Sequence, residues 1–180
     1  MLNSDRIGVL EDGGGEGMAE HLVDSSLGTL KDEQTRLVFL GLGICPEDVP
    51  IPLSCAQLIC GANAEVAAKG KVNAILMRRS VKTLIDRNLL QGSITGGVWM
   101  HDIVRDLVRS RIGGEEGIRE RQRSAVGAFV AACPDDGWAG DDAMGHYAAQ
   151  ALQQHMVEGI LYRSSTTMTN NPPLQPCSPI

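Results

Sequence analysis

The chain is poor in aromatic side chains: two Trp, two Tyr and two Phe make up 3% of its 180 residues. A core assembled without them must draw on Leu, Ile, Val, Ala and Met, which suits packed helices better than an aromatic-rich β-sandwich. No apolar run approaches the ~20 residues that span a bilayer, so no membrane association is expected. The glycine-rich N-terminal stretch, Glu11-Asp12-Gly13-Gly14-Gly15-Glu16-Gly17, is acidic and does not read as a secretory signal. Five cysteines (Cys45, Cys55, Cys60, Cys133, Cys177) form no CxxC pair and leave an odd count, with no histidine at metal-ligand spacing. They read as buried free thiols of a cytoplasmic protein. The phosphate-cradling pattern GxxxxGK[ST] is missing. The four histidines are scattered and form no Ser/His/Asp or Cys/His set. Enzymatic activity is therefore not expected.

What is present is an uneven charge distribution. The net charge is −6. Residues 1–50 hold ten acidic and three basic side chains, residues 69–111 nine basic and three acidic, and residues 112–180 eight acidic and four basic. A basic middle between acidic flanks suits a phosphate-bearing ligand or an acidic partner surface, or is simply a solvated helix face.

Periodicity and punctuation predict a mainly α chain. Residues 1–27 read as a flexible acidic, glycine-rich lead-in, with one weak helix near Met18–Val23. Thr29 is a candidate N-cap for a helix carrying Leu37, Val38, Leu40 and Leu42, weakened at Gly41 and Gly43 and stopped by Pro46. Pro46, Pro50 and Pro52 force an extended segment. Helices are predicted over Leu53–Cys60 and Ala64–Arg78, the latter with a soft spot at Gly70, and from a Ser80 N-cap onward through Val81, Leu84 and Ile85. Leu89-Leu90 and Val98-Trp99-Met100 read as short strands joined by the turn at Gly92-Ser93-Ile94-Thr95-Gly96-Gly97. A further helix, Asp102 to Arg111, has Ile103, Leu107 and Val108 on its apolar side.

Three helices closed by a β-hairpin give a winged-helix module over residues 28–111. A helical extension over 115–162 follows, with helices at Glu116–Ala132 and Asp142–Leu161, the second packing through Tyr147, Leu152, His155 and Met156. The Ser/Thr/Asn/Pro-rich residues 163–180 read as a disordered tail.

The sharpest chemical element is Met100-His101-Asp102 at the strand-to-helix junction. The Asp102 carboxylate is placed to cap free backbone N–H groups and meet the positive end of the helix dipole. His101 can present an imidazole N–H to an anion. The plain alternative is an ordinary cap beside a polar strand end.

The surrounding residues resemble the winged-helix portion of the NB-ARC class of signal-transduction NTPases. Ser26-Leu27, Leu37-Val38-Phe39-Leu40-Gly41-Leu42, Cys45-Pro46-Glu47-Asp48 and Ile51-Pro52 look like that family's "LF..LA.FPED..IP" opening. Val81-Lys82-Thr83-Leu84-Ile85-Asp86-Arg87-Asn88-Leu89-Leu90 is similar to its "L..L..RSLL" helix and first wing strand. Met100-His101-Asp102 matches its MHD motif letter for letter, and Tyr147 to Gly159 resembles its "Y....L..HL.EAG" helix.

The resemblance implies a nucleotide switch. His101 would approach the β-phosphate of ADP, Asp102 would order the helix start and domain contacts, and Met100 would pack. The family's P-loop domain, its acidic Mg-coordinating strand and its middle helical domain are not in this sequence. ADP or ATP would therefore bind only with a P-loop domain supplied upstream in cis or in trans, and a downstream repeat domain is a further implied partner. The competing reading is a winged-helix DNA-binding, transcription-regulatory module. Ser80–Asn88 would then enter the major groove and Gly92–Gly97 would act as the wing. Arg78, Arg79, Lys82 and Arg87 favour it, while the net −6 charge and the core-side Leu84 and Ile85 oppose it.

Overall fold

A computed structural model describes His21 and residues 24–70, 72–133 and 143–160. The expected tail at 163–180 and nearly all of the weak helix near Met18–Val23 lie outside the described residues. The described chain is mainly helical with one small antiparallel hairpin. Residues 24–28 are helical, Leu27 is buried, and Asp24 pairs with Arg111 at 2.7 Å. The last residues of the lead-in expected over 1–27 therefore belong to the packed structure.

Helix α1 (Glu33–Leu42) starts at Asp32 rather than Thr29. The Asp32 carboxylate accepts from the Gln34 N–H at 3.2 Å and from the Thr35 hydroxyl at 2.7 Å. Thr29 instead closes the preceding helical turn by donating to the Ser26 carbonyl. Gly41 and Gly43, which read as weak points, are close approaches. A Cβ on Gly41 would lie 3.1 Å from Cys60 Sγ, and one on Gly43 would lie 2.3 Å from a Val108 methyl. The proline-rich segment is extended as expected. It leads into a two-bond antiparallel bridge between Ile51 and Val98, with N···O distances of 2.8 and 3.0 Å.

Helix α2 (Leu53–Ala62) has Pro52 as its N-cap and buries Cys55, Ala56, Ile59 and Cys60. The single helix expected over Ala64–Arg78 is two. Helix α3 (Ala64–Ala68) is capped by Asn63 and stops before Gly70, whose φ of 128° no L side chain adopts readily. Helix α4 (Ala74–Asp86) is capped by Asn73, whose side-chain oxygen accepts from the Leu76 N–H at 2.8 Å. Ser80 is no cap. It lies within α4, fully buried, with its hydroxyl 3.1 Å from that of Thr35 in a hydrogen bond between α4 and α1.

The hairpin pairs β1 (Gln91–Ser93) with β2 (Gly97–Trp99) in the register Gln91↔Trp99, Gly92↔Val98 and Ser93↔Gly97. Leu89 and Leu90, expected in the first strand, instead turn back on α4. Both their N–H groups reach the Leu84 carbonyl, and both side chains are buried.

Helix α5 (Asp102–Arg111) buries Val108, while Ile103, expected on the apolar side, is exposed. Two long helices, α6 (Gly114–Ala132) and α7 (Ala143–Ile160), form an α-hairpin. Phe129 of α6 stacks on Tyr147 of α7 at a centroid distance of 5.8 Å. Ala125, Phe129, Tyr147, Ala148 and Ala151 share one buried cluster with Leu42, Cys45, Cys55 and Ile59. The hairpin thus completes the core of α1 and α2. Of the packing residues expected on α7, Tyr147 and His155 are buried and Met156 is 44% exposed. No helix among the described residues is long and apolar enough to cross a membrane.

Candidate functional site

The junction between β2 and α5 brings His101 and Asp102 to the surface and turns Met100 into the core. Met100 is buried, the packing role expected of it. His101 is the N-cap residue of α5 by its extended backbone, and its ring makes no cap hydrogen bond. Asp102, expected to cap, is the first helical residue instead. Its Oδ1 accepts from the neighbouring Ile103 N–H at 2.7 Å, which still sets a negative charge at the positive end of the helix. The same Oδ1 meets His101 Nδ1, and more than half of each side chain is exposed.

That contact fixes the chemistry available to the ring. With Nδ1–H directed at the carboxylate, Nε2 is the nitrogen left to face solvent. It accepts a hydrogen bond from the neutral ring and donates one from the imidazolium.

Arg105 and Arg109, one and two turns further along α5, are tied down by partners rather than solvated. Arg105 pairs with Glu47 at 2.6 Å and keeps only 12% of its side chain exposed. Arg109 donates to the Gly43 carbonyl at 3.0 Å and pairs with Glu158 at 2.9 Å. Both arginines tie α5 to the chain that leaves α1. They hold the helix on which the His101–Asp102 pair is mounted.

Beneath Arg109 lies a polar network that local sequence patterns do not reveal. Gln122 Nε2 donates to the Ile44 carbonyl at 2.9 Å and to Glu158 at 2.7 Å. Since both amide protons are used, the Gln122 oxygen must accept, and it meets His155 Nδ1. His155 Nε2 is then left to accept from the Tyr147 hydroxyl, 3.1 Å away. Tyr147 shares a hydrogen bond with the Cys45 thiol. Burial lowers His155 from its ordinary 6.5 to about 4, with Glu158 opposing and Arg109 reinforcing the shift. Burial pushes Cys45 up to about 12 and Cys60 and Tyr147 well up as well. Cys45, Cys55 and Cys60 are buried as expected, whereas Cys133 is exposed. Gln122 lies 33 residues before His155 and 36 before Glu158, so no local pattern marks the three as one network.

An open groove of about 580 Å³ runs between α2 and α6, lined by Ser54, Gln57, Leu58, Val72, Ala128 and Met144 among others. None of its lining side chains among the described residues is charged. No group of three or more His, Cys, Asp or Glu among the described residues is arranged to hold a metal ion. Comparison with known protein families, curated proteins and solved structures finds no match to this chain.

Proposed function

We propose that this chain is the regulatory winged-helix part of an NB-ARC-type nucleotide-switch protein. In this reading His101 contacts the phosphate of ADP and Asp102 orders the helix start and its domain contacts. The observation that carries it is the placing of His101: an exposed imidazole at the N-cap of α5, steadied by Asp102 and following the buried Met100. The element order lends support. Helix α1, the bridge at Ile51, helices α2 to α4 and the β1–β2 hairpin follow one another, and Ile51 pairs with β2. That order resembles the helix, strand, helix, helix, strand, strand plan of a winged helix, with the first strand reduced to one residue and the short helix α3 added between α2 and α4.

The chain acts here as a binding module rather than an enzyme, in the cytoplasm, beside a P-loop domain in cis or in trans and a downstream repeat domain. One phosphate contact does not offset the entropy lost on association, so ADP or ATP would be held chiefly by the P-loop domain. The test is a reconstituted protein carrying that domain. His101→Ala should speed ADP release about tenfold or more, the worth of a charge-assisted hydrogen bond. Unchanged release would sink the phosphate-contact role. The alternative of a winged-helix DNA binder draws on the exposed Arg78 and Arg79 of α4. It predicts a gel shift on random duplex that weakens steeply with salt.

A further inference from the structure

Basic side chains are treated differently in two parts of the molecule. Along α5 and α6, Arg105 meets Glu47, Arg109 meets Glu158 and Arg111 meets Asp24. Arg119 and Arg123 meet Glu116, and Arg121 meets Glu65. On α4, Arg78 and Arg79 are both exposed, and no carboxylate among the described residues pairs with either. Lys82, one turn on, is held by Asp86 at 2.8 Å. At the other end of this stripe Ile75 is 81% exposed, more than any other large hydrophobic among the described residues.

Ile75, Arg78, Arg79 and Lys82 stand at i, i+3, i+4 and i+7, so they line one face of the helix. The opposite face, Met77, Ser80, Val81 and Leu84, is fully buried and fixes the stripe's direction. Lys82 is a like-charge neighbour of both arginines at these spacings, a mildly destabilising arrangement that an anionic partner would relieve.

Two classes of anion could lie there. A duplex would engage the hairpin beside α4 as well, yet residues 89–100 contain no Lys or Arg. An exposed isoleucine at the end of the stripe offers a phosphate nothing, but it suits an apolar side chain flanked by carboxylates. We infer that the Ile75, Arg78, Arg79 and Lys82 face of α4 docks an acidic, amphipathic segment of a partner protein. The partner's apolar side chain covers Ile75, and its carboxylates take the forked N–H groups of Arg78 and Arg79.

The probe is a short fluorescein-labelled peptide of repeated Glu-Glu-Leu-Leu, titrated with the full chain and read by anisotropy. Binding is expected, with weakening on added salt. The double variant Arg78→Glu with Arg79→Glu should bind about tenfold more weakly or worse, and Ile75→Ser about threefold more weakly. All three side chains are exposed, so circular dichroism should show unchanged melting for these variants. His101→Ala should leave peptide binding untouched, which separates this surface from the nucleotide reading. Three results overturn the proposal: no binding of the peptide, equal binding by the native chain and the double variant, or tighter binding of random duplex DNA in the same buffer.

Discussion

His155 has none of its surface in contact with solvent, and its ring nitrogens face Gln122 and Tyr147. Its neutral form is therefore built into the fold. The folded value of about 4 lies below the ordinary 6.5, so the unfolded chain takes up the proton first as pH falls. Stability from this group is complete above about 6.5. It declines through the window down to about 4 and is flat beyond, a loss of about 3 kcal/mol in all. Urea titrations at pH 7 and pH 4.5 should show that fall, and His155→Phe should flatten the slope across the window. A slope unchanged in the variant would assign the acid sensitivity elsewhere. The thiols make a second residue-scale case. Burial keeps Cys45 and Cys60 protonated, so Ellman's reagent should modify Cys133 in the native chain and reach Cys45, Cys55 and Cys60 only after denaturation. Burial of the three was legible from the odd count and absent pairing, while the exposure of Cys133 follows from its place at the end of α6.

Among the elements, α4 shows best what local sequence conceals. Asn73, read from the sequence as a position inside the Ala64–Arg78 helix, is the cap of α4, and Ser80, read as the cap, is not. The chain begins the helix at Asn73, because starting there buries Met77 and Ser80 against neighbouring helices. The two sites should respond differently. Asn73→Ala should cost about 1 kcal/mol, the usual worth of a cap. Ser80→Thr should cost more, about 2 kcal/mol, because its extra methyl enters a fully packed site; thermal melts of both variants check the order. Gly43 makes the same point for α1. Its φ of −63° is open to any residue, yet a Cβ would overlap Val108 at 2.3 Å. Gly43→Ala should cost about 2 kcal/mol by urea denaturation. A neutral result would mean that α5 can retreat, and with it the His101 junction. A glycine in the last turn reads as a helix ender in sequence. Its partner on α5, sixty-five residues away, is what gives it a purpose.

At the scale of the molecule, α6 and α7 are bound to the earlier helices by one polar hub as well as by apolar packing. Gln122 serves the Ile44 carbonyl, Glu158 and His155 together. Gln122→Leu keeps the volume but orphans the buried Ile44 carbonyl and His155 Nδ1 and removes one of the partners of Glu158, and should cost about 3 kcal/mol. Measured beside Glu158→Gln in a double-mutant cycle, the two changes should be non-additive. Simple additivity would mean that the hub does not act as a unit.

The sequence by itself determined the helical character, the extended proline segment and the hairpin turn, because periodicity, proline geometry and turn residues act over a few neighbours. It also placed His101 and Asp102 at a helix start, although one residue out in the assignment of the cap. Tertiary structure decided which cap starts α4, what Gly43 is for, and that Arg105 and Arg109 are tethers. It alone assembled the Gln122, His155, Tyr147 and Glu158 network. These outcomes depend on groups dozens of residues apart, brought together by burial of a shared core, and burial is a property of the folded whole that no local pattern encodes.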